Sequence, residues 1–178
     1  MDEKTTVKRI RSGDKELFAL LLRKYERIVN SIIYSMVFDI ETTKDLTQET
    51  FIKAFENLNS YSEEHEFKPW VIKIARNHTI DYIRKKKKTI SIEELDYEIP
   101  DNKNLHGLDE MQQQKALEKA MARLKEDDRT LLIMKYKEGF SNKEIAEAME
   151  IPENRVNVKL FRAKEKMREL LEMKKCER

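Results

Sequence analysis

Asn154, Arg155, Val158, Phe161 and Arg162 fall on one side of a helix when residues 153–171 are wound at about 100° per residue, with Asn157 at the edge of that set. Arginine forks onto guanine or phosphate, asparagine pairs with adenine, and apolar groups meet the thymine methyl, so this mixture suits a major groove. A solvated face would not normally carry Val and Phe beside Asn and Arg. The other reading is a helical hairpin whose second helix packs on a protein partner, and short patterns of this kind arise by chance. A second set is cationic: Lys73, Arg76 and Arg84 interleave with Ile72, Ile80 and Ile83, and Arg84–Lys88 is an unbroken basic run. Phosphate contact and a solvated helix end, where the dipole favours cations, both explain it. A third set, Asp45, Gln48 and Glu49 around Ile52, is either a docking site for a basic helix or ordinary surface. His65, His78 and His106 stand apart, without metal-ligand spacing, a Gly-rich phosphate loop or a nucleophile elbow. No catalysis, cofactor or metal is expected.

The elements that would hold these sets are helical. Gly139 is placed to end one helix in the left-handed conformation, and Ser141 with Glu144 has the spacing of a capping box. Ile145, Ala146 and Met149 turn inward, Pro152 interrupts, and Val156, Leu160, Ala163, Met167 and Leu170 follow at steps of three and four. Short helix, tight turn and longer helix make a helix-turn-helix. Upstream, Leu117, Met121 and Leu124 form one inward stripe over 116–124. Leu131, Leu132, Ile133 and Tyr136 supply core beyond a cap at Asp127 or Asp128.

In the first half, Met1–Arg11 is charged and short, expected to be frayed or loosely helical. A helix from Asp14 carries Leu17, Leu21, Tyr25, Ile28, Ile32 and Met36, widened by Phe18, Leu22, Val29 and Ile33, a stripe wide enough to face a core. Thr42 or Thr43 is placed to cap the helix that holds Ile52, and Pro69 suits the first position of the helix that holds Lys73. Between these halves, 89–114 is acidic, carries Pro100 and Gly107 and lacks a sustained period, as a linker would. The predicted organisation is all-α: two small helical domains, residues 1–88 and 115–178, joined by the flexible acidic linker 89–114.

Composition agrees. Of 178 residues 39% are hydrophobic and 39% charged, with 3 Gly and 3 Pro, which favours helices over sheet. The net charge of +2 does not by itself predict nucleic acid, so distribution has to make that case. A single cysteine, Cys176, allows no internal disulfide and fits a reducing cytoplasm. No run approaches a membrane span and no signal peptide opens the chain, so cytoplasmic localisation without direct membrane insertion is expected.

Four ordered stretches, DLTQETFIKAF (Asp45–Phe55), FKPWVIKIARNHTIDYIRK (Phe67–Lys85), EDDRTLLIMKY (Glu126–Tyr136) and FSNKEIAEAMEIPENRVNVKLFRAKEKMREL (Phe140–Leu170), resemble the extracytoplasmic-function (group IV) sigma factors of bacterial RNA polymerase. The resemblance spans Gly13 to Leu171 and implies a region-two domain, then a region-four domain. It implies that Asp45, Gln48, Glu49 and Ile52 dock on the clamp helices of the β′ subunit, with further contact to the β subunit. It implies that loop 59–68 and the Trp70 helix open the −10 element, with Tyr61, Lys73, Arg76, Asn77, Arg84 and Lys85 as contacts. A flipped base needs an aromatic or pocket wall, and a displaced strand needs cations. Asn77 serves equally as a buried hydrogen-bonding group. The −35 element would be read by Asn154, Arg155, Asn157, Val158, Phe161 and Arg162. Core RNA polymerase, promoter DNA and an anti-sigma factor, the last able to hold the chain at a membrane, are the implied partners. Three departures from the family pattern stand out: Lys125 replaces a common Pro and makes that helix junction less sharp, Glu150 replaces a turn Gly or Asn and leaves the turn geometry open, and Asn154–Arg155 replaces a Gly–Thr pair, so promoter sequence cannot be carried over. A stand-alone helix-turn-helix regulator that binds duplex DNA as a dimer is the alternative, and it leaves the Ile52 stripe and the basic Trp70 helix without a purpose.

Overall fold

A computed structural model describes residues 2–89 and 108–176, with residues 87–89, 108–115 and 173–176 described by backbone alone. The stretch 90–107, most of the acidic linker and His106 with it, and the Cys176 side chain lie outside the described residues. Among the described residues the chain is helical, without strands.

The first unit comprises α1 (Glu3–Arg11), α2 (Phe18–Val37), α3 (Ile40–Glu56) and α4 (Phe67–Thr89). Of the two readings of the N-terminal stretch, frayed or loosely helical, Glu3–Arg11 takes the helical one. Asp2 caps α1 by accepting the Thr5 N–H at 2.8 Å, and Val7 and Ile10 are buried. Two apolar residues in nine are too few to show a period, which is why the sequence reads as solvated. α2 starts at Phe18 after one 3₁₀ turn, and buries Leu21, Tyr25, Val29, Ile32, Ile33 and Met36. The cap of α3 is Asp39, whose carboxylate accepts the Thr42 N–H at 2.7 Å, rather than Thr42 or Thr43. Asp outranks Thr as an N-cap, so the helix takes the earlier start. Pro69 lies third in α4, still within the first turn where its missing N–H is harmless.

The second unit comprises α5 (Leu108–Arg123), α6 (Glu126–Leu132), α7 (Asn142–Met149) and α8 (Glu153–Cys176). α5 begins inside the stretch read as linker. α6 is preceded by Lys125 without a side-chain cap, so neither Asp127 nor Asp128 caps it. A π turn, Ile133–Lys137, follows α6. That turn adds a residue to the helical register, and it explains why Tyr136 is 61% exposed instead of serving the core. Leu117 is likewise exposed; with Tyr136, Tyr34, Phe38 and Ile133 it lines an apolar groove of about 870 Å³.

The two units do not hang apart on a tether. α4 packs along α7, and α2 packs on α6 and the π turn, so the buried apolar cluster runs from one unit into the other. Arg129, only 2% exposed, fastens the junction: its guanidinium donates to the Ala122 carbonyl at 3.1 Å and to the Met36 carbonyl at 3.3 Å, and lies over the Phe38 ring.

Candidate nucleic-acid and polymerase interfaces

The helix-turn-helix forms as its sequence dictates. The Ser141 hydroxyl accepts the Glu144 N–H at 3.2 Å, and a Glu144 carboxylate oxygen accepts the Ser141 N–H at 2.7 Å. At the far end of α7, Glu150 adopts the left-handed conformation with φ 55°. This is the position where a Cβ is resisted and Gly or Asn is easier, and here the chain turns into α8. Val156, Leu160, Ala163 and Met167 sink into the core. The opposite face of α8 carries Asn154, Arg155, Asn157, Val158, Phe161 and Arg162, all exposed, with Val158 at 51% and Phe161 at 65%. Asn157 is the one among them whose side chain is engaged, its amide oxygen accepting from Asn142 at 2.9 Å. Phe161 and Arg162 open onto a crevice of about 1000 Å³ that is also lined by Ile80, Ile83 and Arg84 of α4. The outward face of α8 and the cationic end of α4 thus border a common space.

On α3, Asp45, Gln48, Glu49 and Ile52 share an exposed face, with Ile52 at 57%. Leu46, Thr50, Phe51 and Ala54, on the other side, are buried. Glu49 is tied to α4 through its 2.6 Å contact with His78 Nε2. Asp45, Gln48 and the Ile52 side chain remain exposed beside that contact.

The set on α4 is placed differently. Tyr61 is 3% exposed: its ring packs on Phe67 and Trp70, and its hydroxyl donates to the His65 carbonyl at 2.7 Å. Burial pushes its hydroxyl pKa up. It is a wall of the core in this arrangement and offers no face to a base, contrary to the expectation from sequence. The loop is an aromatic cluster first, and half-buried Trp70 is its outermost ring. Lys73, Arg76 and Asn77 are half-buried, and Arg84 and Lys85 are exposed. The Lys87 and Lys88 side chains lie outside the described residues.

Lys73, Arg76 and Asn77 are covered by the second unit. Lys73 Nζ meets Glu150 Oε1 at 2.8 Å, and Asn77 Nδ2 donates to Glu150 Oε2 at 3.2 Å. Arg76 grips Asp127 Oδ1 through Nε at 3.1 Å and Nη2 at 2.7 Å. Its Nη1 donates to Asn77 Oδ1 at 3.0 Å. Further along α7, Glu147 stands 3.4 Å from His65, and Glu144 pairs with Lys68. The hydrogen bond from Lys73, followed by that from Asn77, holds the Glu150 carboxyl below the usual carboxylate range. Burial pushes Glu144 up, but hydrogen bonds from Lys68 and Ser141 outweigh it and hold that carboxyl low as well. Sequence reasoning missed Asp127, Glu144 and Glu150 as partners of α4, and Glu147 as the partner of His65 in the loop before it. Charges about fifty or more positions apart leave no periodic trace.

With this geometry in hand, comparison with known proteins is informative. Residues 21–89 match the family model for sigma-70 region 2, and residues 114–167 the model for sigma-70, region 4. The ECF RNA polymerase sigma factor SigW of Bacillus subtilis is 28% identical over 182 residues, covering 94% of this chain and 96% of that protein. The RNA polymerase sigma-H factor of Pseudomonas aeruginosa is 30% identical over 177 residues, covering 89% of this chain and 88% of that one. Among solved structures, CnrH in complex with the cytosolic domain of CnrY superposes with a TM-score of 0.71 at 18% identity, over 96% of this chain and 97% of that one. RpoE of Bartonella quintana, solved with the anti-sigma factor NepR, gives 0.68 at 22% identity, over 87% and 96%. At those identities the structures speak for the fold alone.

Proposed function

Because the chain belongs to the extracytoplasmic-function group of sigma-70 RNA polymerase sigma factors, we propose that it is an alternative sigma factor that directs core polymerase to its own promoters. It acts by binding, without a reaction of its own. The region-two unit, residues 1–88, docks on the β′ clamp helices through Asp45, Gln48, Glu49 and Ile52. The same unit opens the −10 element with Lys73, Arg76, Asn77, Arg84 and Lys85. The region-four unit, residues 115–178 with α5 reaching back to Leu108, meets the β subunit and reads the −35 element through Asn154, Arg155, Asn157, Val158, Phe161 and Arg162.

The observation that carries the proposal is the outward face of α8. Val158 and Phe161 are exposed beside Arg155 and Arg162, while the opposite stripe is buried. Exposed apolar and forked cationic groups together on a helix-turn-helix second helix suit base edges. The exposed Ile52 within an acidic face supports polymerase docking and weighs against a stand-alone regulator.

An anti-sigma factor is the proposed inhibitor. The solved neighbours CnrH and RpoE were each captured with a protein partner, in the second case one named as an anti-sigma factor. The proposed site of action is the cytoplasm, where polymerase and chromosome are; no helix among the described residues is long and apolar enough to cross a membrane. The test is transcription in vitro with core polymerase on fragmented genomic template, with start sites mapped. New start sites that appear only with this chain are the expected result. A chain that neither binds core polymerase nor changes the start sites refutes the proposal.

A further inference from the structure

α1 precedes residues 21–89, the stretch that matches region 2, and carries none of the contacts assigned above. It is nevertheless fixed at both ends. At its start Glu3 pairs with Lys24 and accepts the Tyr25 hydroxyl. Tyr25 in turn packs on Phe67, with ring centroids 5.5 Å apart. At its end Arg11 reaches the loop that leads into α4. Its Nε and Nη2 donate to the Leu58 carbonyl at 3.3 and 2.7 Å, and Nη2 donates also to the Tyr61 carbonyl. Its Nη1 lies 3.5 Å from Glu63 Oε1, and Lys8 Nζ meets the other Glu63 oxygen at 3.1 Å. One planar guanidinium thus spans three loop residues, which a point charge on a flexible stem does poorly. A side chain present for solubility would point into water. Arg11 is 25% exposed and spends its donors on backbone carbonyls, the groups that define the path of the loop.

The other side of that loop borders the residues assigned to the −10 element. Asn57 and Ser60 form one wall of an open cleft of about 450 Å³, and Trp70, Lys73 and Asn77 of α4 form the facing wall. Leu58 and Tyr61, both buried, flank the loop's side of the cleft, and Arg11 holds the two of them from behind. The Tyr61 ring, fixed by Arg11 at its carbonyl and by the His65 carbonyl at its hydroxyl, packs 5.4 Å from Trp70. We propose that Arg11 is a positioning residue for −10 opening, which holds loop 58–63 against α4 in the shape that receives the displaced strand and does not itself touch DNA. The inference rests on the assignment of this loop and α4 to the −10 element, and deepens it by naming what keeps the wall in place. Unpaired bases are held by a wall and by cations at a set spacing, and a loop does this only as well as its scaffold positions it.

Trp70 is the chain's one tryptophan, so its fluorescence reports the cleft directly. The test pairs acrylamide quenching of Trp70 in the free full-length chain with promoter opening by the holoenzyme. Opening is read from 2-aminopurine placed in the non-template strand of the −10 element, on a promoter mapped by the transcription assay above. Arg11→Ala removes the fork. Arg11→Lys keeps a charge beside Glu63 without the planar fork, and decides the matter if the alanine chain does not fold. Asp39→Ala, which loosens the same unit at the α3 cap and leaves the loop alone, is the comparator. Both Arg11 variants should raise the quenching of Trp70. They should slow opening by about tenfold for alanine and less for lysine, the size of a lost charge-assisted hydrogen bond. Anisotropy on the upstream-element duplex should not change, and Asp39→Ala should alter none of the three. Quenching unchanged in both Arg11 variants, opening unchanged despite raised quenching, or an equal fall in opening for Asp39→Ala would each overturn the proposal. A wild-type chain that neither binds core polymerase nor opens a promoter removes the sigma-factor assignment. Arg11 variants that open as fast as a competent wild type remove the role of Arg11 alone.

Discussion

Replacing Arg162 with alanine isolates what the outward face of α8 contributes. Its guanidinium is exposed and makes no ion pair among the described residues, so the folded state loses almost nothing. Substitutions at such sites change stability by about ±0.5 kcal/mol. If the fork pairs with a base edge, promoter affinity falls by about 1–3 kcal/mol, or roughly 5- to 150-fold. If it meets only a phosphate, the loss is spread over all sequences, and the salt slope of log K flattens by about 0.9. Arg162→Lys separates the two. Lysine retains the charge, so a phosphate contact survives, but it lacks the planar fork and weakens a bidentate contact. The assay is anisotropy on a duplex bearing the upstream element of a mapped promoter, at several salt concentrations, with thermal unfolding run alongside. Affinity unchanged in both variants, or a fall in Tm that accounts for the loss, would refute the assignment of this face.

Ile52→Asp should weaken binding to core polymerase while leaving thermal unfolding close to wild type, since Ile52 is more than half exposed; an unfolded first unit would mean the face is assigned wrongly. Glu150→Gly should leave stability equal or slightly raised. It relieves left-handed backbone strain of about 1–2 kcal/mol and forfeits a half-exposed ion pair worth about 0–1 kcal/mol; a chemical denaturation midpoint below that of Glu150→Gln would contradict this. Asp39→Ala should cost about 1 kcal/mol through loss of the α3 cap. Hydrogen bonds from the Thr42 side chain and N–H hold the Asp39 pKa below its ordinary 3.8. The cap therefore contributes fully above about pH 4 and loses its contribution as pH falls through the lowered value. The stability gap between wild type and Asp39→Ala should narrow in acid; a gap that stays constant from neutral pH to pH 2 rules the cap out as its source.

Local rules explain what the sequence disclosed. The capping box at Ser141 and Glu144 and the exposed Ile52, Val158 and Phe161 each depend on residues within one or two helical turns, and the structure has them all. Tyr136 escaped because spacing arguments assume 3.6 residues per turn, and a π turn breaks that assumption at this point. Tyr61 looked like a platform for a base because it is an aromatic set among polar loop residues. Its partners Phe67 and Trp70 come from the next helix and take it inward. α1 reads as a charged tail because its two buried apolar residues, Val7 and Ile10, acquire meaning only against α2 and the turns at Lys15–Leu17 and Leu58–Ser60. The junction between units was invisible for a similar reason: a carboxylate on α7 looks like any solvated charge until α4 is laid beside it.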